Sequence, residues 1–122
     1  MIQILTIDEK LPSLNEYINR INANRYKGDS FKKEIQQHIG WHVKASKLKP
    51  ITNKVDLNIQ WHESSARRDP DNIYSAVKYI LDCLQDMGLL KNDTQKYIRN
   101  ISNELFVGKD NKVIIEFKEV KK

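Results

Sequence analysis

Only one cysteine, Cys83, stands in the 122 residues. It has no partner in the chain, so an internal disulfide is excluded, and a reducing cytoplasm is the simplest compartment. No apolar run approaches the ~18 residues that read as a membrane span. The N-terminus, "MIQILTIDEK", lacks a basic leader, a long apolar stretch and a small-residue cleavage site. It reads as a first strand and not as a signal peptide. Internal repeats, low-complexity tracts and long linkers are missing. So are a Gly-rich phosphate loop and an HD-type His-Asp pair, which weighs against a metal-dependent phosphohydrolase of small molecules.

What is present suits one soluble globular domain spanning 1–122. Hydrophobic residues make up 39% and charged residues 30%, enough for one core and too few residues for two domains. The net charge of +5 permits nucleic-acid binding. Its distribution is more specific. Between Arg20 and Lys54 stand Arg20, Arg25, Lys27, Lys32, Lys33, Lys44, Lys47, Lys49 and Lys54, against Asp29 and Glu34. This is either a phosphate-contacting surface or a solvated helical face.

Hydrophobic periodicity places the elements. Residues 2–7 alternate as a short strand. "PSLNEYINRINANR" carries Leu14, Tyr17, Ile18 and Ile21 at helical spacing, with Ser13 as N-cap. Gly28 in "YKGDS" is read as a break. "SFKKEIQQHIGWHVKAS" follows as a second helix, with Phe31, Ile35 and Ile39 on one side. "KVDLNIQWH" alternates as a half-buried strand, with Val55, Leu57, Ile59 and Trp61 inward. A long helix is expected over about 70–87, closed by Gly88 at C′. Residues 97–107 read as a strand, "GKDN" as a turn, and "KVIIEFKEV" as the closing strand. The last two look like a hairpin. The whole is an α+β domain, with a small mixed sheet of about four strands against about three helices.

On the long helix, Asp71, Ser75, Lys78 and Asp82 share a polar stripe about 60° wide at 100° per residue. Ile73, Val77, Ile80, Leu84 and Met87 form the opposite, sheet-facing side, with Ala76 and Cys83 at its margin. Asp82 lies too far along to share a metal with Asp71 and is placed to pair with Lys78.

The helix begins at "RRDPDN", which has two readings. Asp69 as N-cap, Pro70 at N1 and an acid in the first turn are explained by helix entry alone. Capping leaves out Arg67 and Arg68 just before the turn, and Asp93 in the loop beyond the helix. The second reading is a metal site beside a phosphate-binding surface. Mg²⁺ takes oxygen ligands and keeps several waters, so two or three carboxylates suffice. Basic side chains nearby neutralise phosphate.

The stretch "RRDPDNIYSAVKYILDCLQDMGLLKNDTQKYI" resembles the RusA-type Holliday junction endodeoxyribonucleases. The shared pattern is Arg68, Asp69, Asp71, Asn72, Lys78, "LDCL" at 81–84, Gly88 and Asp93. "SLNEYINRINANRYKGDSFKKE" is similar to the phage and Gram-positive branch. The resemblance is dense over 67–98 and looser elsewhere. It implies a cytoplasmic, bacterial or phage-encoded homodimer that nicks four-way DNA junctions symmetrically, with Mg²⁺, or Mn²⁺ in its place, and no small-molecule cofactor. Asp69, Asp71 and Asp93 match the essential metal-binding aspartates. Lys78 matches the catalytic lysine if three residues before Asp82 are an insertion; counted from Asp71, Ser75 takes that position. Asn92 stands where some members have an acid. Arg67, Arg68, Lys91 and Lys96 are the candidate DNA contacts. A two-fold dimer suits a substrate with two equivalent strands.

The alternative is a non-catalytic DNA-binding or regulatory module whose aspartates only cap the helix. Other residues draw notice. His38 and His42 lie four apart and suit a zinc site, but no third ligand stands nearby. Trp41 and Trp61 could stack on bases; Trp61 continues the inward alternation of its strand, which favours core, whereas Trp41 is more open. Tyr74 and Tyr79 flank the polar stripe, suited to packing or to DNA.

Overall fold

The computed structural model describes residues 2–120, the side chains of residues 14 and 25 excepted. Leu14 as a core residue and Arg25 as a phosphate contact therefore lie outside what is described. The elements run β1 (Ile2–Ile7), α1 (Leu14–Ala23), α2 (Arg25–Ala45), β2 (Val55–Glu63), α3 (Pro70–Tyr74), α4 (Val77–Asp86), β3 (Ile98–Val107) and β4 (Lys112–Glu119). The expected α+β class, with one mixed four-stranded sheet, is what the chain adopts.

The sheet order is β1-β4-β2-β3. β2 pairs in parallel with β3 and antiparallel with β4, which pairs antiparallel with β1. The expected hairpin of the last two strands is therefore corrected: β2 lies between them. The link between them crosses the end of β2, where the Gly108 N–H donates to the Glu63 carbonyl at 2.9 Å. Asn111 Oδ1 accepts from the Ser64 N–H at 3.0 Å. Four linking residues span up to ~13 Å, enough for two strand spacings of ~4.8 Å. The turn alone does not choose between the two arrangements.

The strands alternate as their sequences require. Leu5, Ile7, Val55, Leu57, Ile59, Trp61, Val113, Ile115 and Phe117 are buried in one cluster with Ile35, Ile39 and Val43 of α2 and Ile80 and Leu84 of α4. Trp61 is thus a core residue; its indole N–H donates to Asn103 Oδ1 at 2.8 Å.

Two helix boundaries differ from expectation. α2 begins at Arg25, so Gly28 lies inside it and does not break it. The break falls at Asn24, whose N–H ends α1 on the Arg20 carbonyl at 3.0 Å and whose Oδ1 caps α2 through the Tyr26 N–H at 2.8 Å. Glycine is needed at 28 for close approach: a Cβ there would meet Ile21 Cγ1 at 2.5 Å.

The long helix over 70–87 is two pieces, α3 and α4. Between them Ala76, Lys78 and Tyr79 donate to the carbonyls three residues back, and Ser75 Oγ donates to the Asn72 carbonyl at 2.8 Å. Such tighter turns advance the phase by more than 100° per residue. The buried face accordingly becomes Ile73, Ala76, Tyr79, Ile80, Leu81, Cys83 and Leu84, while Val77 and Met87 are only partly covered. Tyr79 is a packing residue: it is buried and its hydroxyl donates to the Ser13 carbonyl at 3.1 Å. Tyr74 packs on Trp61, ring centroids 6.1 Å apart.

Candidate functional site

The α3 entrance is built by the loop from β2. Glu63 ends β2 buried, and its carboxylate accepts from Arg68 Nε at 2.9 Å and Nη2 at 2.8 Å. Arg68 Nη1 also donates to the Leu11 carbonyl at 2.9 Å. The expected DNA contact Arg68 therefore serves a different end. Its guanidinium pins the loop to the sheet and to the segment before α1, and little of it faces solvent. Arg67, next to it, is exposed, with its backbone N–H on Ser65 Oγ at 3.2 Å.

Asp69 has the extended backbone of an N-cap residue (φ −71°, ψ 148°), but its side chain makes no capping hydrogen bond. The helix-entry reading expects that carboxylate to be spent on backbone N–H groups. Asp69 and Asp71 are both exposed, and neither carboxylate has a hydrogen-bond or ion-pair partner among the described residues. Asn72 Oδ1 accepts from Asn15 Nδ2 at 2.8 Å, fastening α3 to the start of α1. "SLN" and "DPDN" are thus joined in space, a link that neither segment signals locally.

Asp93 returns to the helix because of how α4 stops. Gly88 has φ 74°, and the Gly88 and Leu89 N–H groups donate to the Gln85 carbonyl at 3.0 Å and the Leu84 carbonyl at 2.9 Å. This is the paired closure for which glycine is favoured at C′. The Ile51 N–H then holds the Leu89 carbonyl at 2.7 Å, and Leu90 is buried. Asn92 Oδ1 accepts from both the N–H and the hydroxyl of Thr94. The Asn92 side chain is thereby occupied in shaping the turn that presents Asp93.

Lys78 Nζ lies 3.1 Å from Asp82 Oδ1 and 3.7 Å from Asp93 Oδ2. The expected Lys78–Asp82 pair is present, and Lys32 of α2 approaches the same aspartate at 3.9 Å. Of the two candidates for the lysine position, Lys78 meets Asp93, while Ser75 Oγ turns back on its own helix. The Asp82 hydrogen bond and charge, with Asp93 adding to them, hold the Lys78 ammonium above its ordinary range. It is a fixed cation at neutral pH and not a base. Lys91 and Lys96 are exposed on the same loop, with Lys96 Nζ 5.7 Å from the Tyr97 ring centroid.

Among the described residues no three His, Cys, Asp or Glu side chains are gathered into a group that could hold a metal ion. The donor chemistry nevertheless suits Mg²⁺. That ion is commonly held by one or two carboxylates, with waters and substrate phosphates completing its shell, and not by an all-protein cage. Asp69 and Asp71 offer two exposed carboxylates of that kind. His38 and His42 do find an acid: the Glu9 carboxylate accepts from His38 Nδ1 at 2.8 Å and from His42 Nε2 at 2.9 Å. Sequence spacing missed it because Glu9 lies 29 residues from His38.

Compared with known proteins, the chain matches no family model and no curated protein. Among the described residues no helix is long and apolar enough to cross a membrane.

Proposed function

We propose that the chain is a divalent-metal-dependent endonuclease of the RusA type, which resolves four-way DNA junctions as a homodimer by paired nicks. The observation that carries this reading is Asp69. It stands where a helix cap stands, yet its carboxylate caps nothing. It lies beside an equally unpartnered Asp71, while Asp93 is returned to Lys78 on the following helix. A pure capping role leaves all three features unexplained.

In this reading Asp69 and Asp71 would hold Mg²⁺ or Mn²⁺, with Asp93 as the third acid of the set. When bound, the cation supplies polarisation of the phosphodiester and a lowered pKa for attacking water. Lys78, already cationic, offsets charge on the phosphate. Arg67, Lys91 and Lys96 contact the backbone around it, which positions DNA without reading sequence. Arg68 works indirectly by fixing the loop that carries Asp69.

The test is a synthetic four-way junction incubated with and without Mg²⁺. Wild type nicks only with the metal. Asp71→Asn loses cleavage while junction binding is kept, because a ligand is removed and negative charge facing phosphate is reduced. Wild-type cutting by Asp71→Asn refutes the site. Junction binding with no metal-stimulated nicking by wild type favours the non-catalytic module, as the ungathered acids would on their own.

A further inference from the structure

α1 and the first turns of α2 form a helical hairpin whose outer end contributes nothing to the core. At its apex Tyr26 is 81% exposed, with no ring contact or hydroxyl partner among the described residues, and Ile18 and Ile21 of α1 are exposed as well. The apex is nevertheless rigidly built. Asn24 closes one helix and caps the next, and Gly28 receives Ile21 at a distance no Cβ would permit. An aromatic ring is thus held out into water on a stiff support. Exposed Lys27 adjoins it in the chain, Arg20 lays its guanidinium over the Phe31 ring at 4.7 Å to the centroid, and Asp29 is the single acid between Arg20 and Lys33.

The hairpin is also tied to the candidate site. Asn15 at the start of α1 is bonded to Asn72. Lys32, six residues after Tyr26, begins the chain of ion pairs Lys32–Asp82–Lys78–Asp93. Six helical residues rise ~9 Å, which sets Tyr26 less than two turns of α2 ahead of Lys32 and of the ion pairs that follow from it.

We infer that the α1–α2 hairpin is an arm for branched DNA, on which the Tyr26 ring stacks against a base left unstacked at the branch while Lys27 holds a flanking phosphate. This rests on the nucleic-acid reading above. A flat ring next to a lysine fits a base beside a phosphate, because stacking is tolerant of sequence and the cation answers the backbone charge. Linear duplex offers the phosphates but no unstacked base. The ring therefore discriminates branched from linear DNA.

The experiment compares wild type, Tyr26→Ala and Tyr26→Phe for equilibrium binding to a dye-labelled four-way junction and to a linear duplex of the same arms, with chelator present so that nothing is cut. Tyr26→Ala should weaken junction binding about tenfold, the scale of one lost base–aromatic stack. Duplex binding should stay within about twofold, since single phosphate contacts are untouched. Tyr26→Phe, which keeps the ring, should bind as wild type does. Unchanged junction affinity for Tyr26→Ala overturns the inference, as does an equal loss on junction and duplex. So does sedimentation showing that Tyr26→Ala splits a wild-type dimer, which would make the apex a subunit interface. If wild type binds neither DNA, the nucleic-acid reading itself has failed, and the arm with it.

Discussion

Replacing Arg68 by alanine separates its structural role from a DNA-contacting one. The Arg68 side chain is 16% exposed and that of Glu63 5%, so the pair is screened from water and the Glu63 carboxylate has little solvent to fall back on. Removing one partner of such a pair costs roughly 3–5 kcal/mol, because the other charge stays buried and unpaired. The Leu11 carbonyl loses its guanidinium donor as well. With ~2.1 cal/mol/K of unfolding entropy per residue, a chain of this size loses about 4 °C of Tm per kcal/mol, so the melting point should fall by about 12–20 °C. Arg68→Lys keeps the charge but not the two-pronged geometry and should fall between. The double variant Arg68→Met/Glu63→Leu leaves no stranded charge and should recover most of the loss. Thermal and urea unfolding followed by circular dichroism measure all three. Were Arg68 instead a surface phosphate contact, Arg68→Ala would change stability by no more than about 0.5 kcal/mol and would weaken DNA binding in the folded protein. A drop under 1 kcal/mol refutes the structural role of the Arg68–Glu63 pair.

Burial pushes the Cys83 thiol up to about 11 from 9.0. The folded state therefore holds the proton more tightly than the unfolded chain. The associated stability is fully present below about pH 9 and is lost as pH rises through 11. Urea midpoints measured from pH 8 to 11 should fall more steeply for wild type than for Cys83→Ala, and parallel curves would contradict this. Gly28→Ala should cost about 1–3 kcal/mol by forcing Ile21 away, read as a lower urea midpoint. A neutral result would mean that α1 and α2 can separate freely.

Local chemistry was readable from the residues alone. Ser13 caps α1 as expected, β2 alternates as written, and Gly88 takes the left-handed conformation at the end of α4. Each of these is decided within a turn or two of chain. Choices that depend on distant partners were not readable. Gly28 signals a break when the helix that crowds it is unseen. "GKDN" signals a hairpin because nothing in it records β2 passing between. Helical spacing through 75–79 assumes a constant 100°, and Ser75 bonding back to Asn72 ends that constancy. At the candidate site, the acids and Lys78 stood out by type and spacing. The engagement of Arg68 by Glu63 and the Asn15–Asn72 tie did not, since a guanidinium beside aspartates reads equally well as a phosphate contact.

The central place of β4 has a consequence for the order of events in the cell. Ribosomes deliver it after the other strands of this sheet, yet β1 pairs with it alone and β2 needs it on its second edge. Until Glu119 has emerged, the nascent chain can hold at most the β2–α3–α4–β3 unit, with β1 unattached and the inner edge of β2 bare. Completion of the sheet thus awaits release of the strand from the exit tunnel, and an interrupted translation product would present an open β2 edge to chaperones or to other copies of itself.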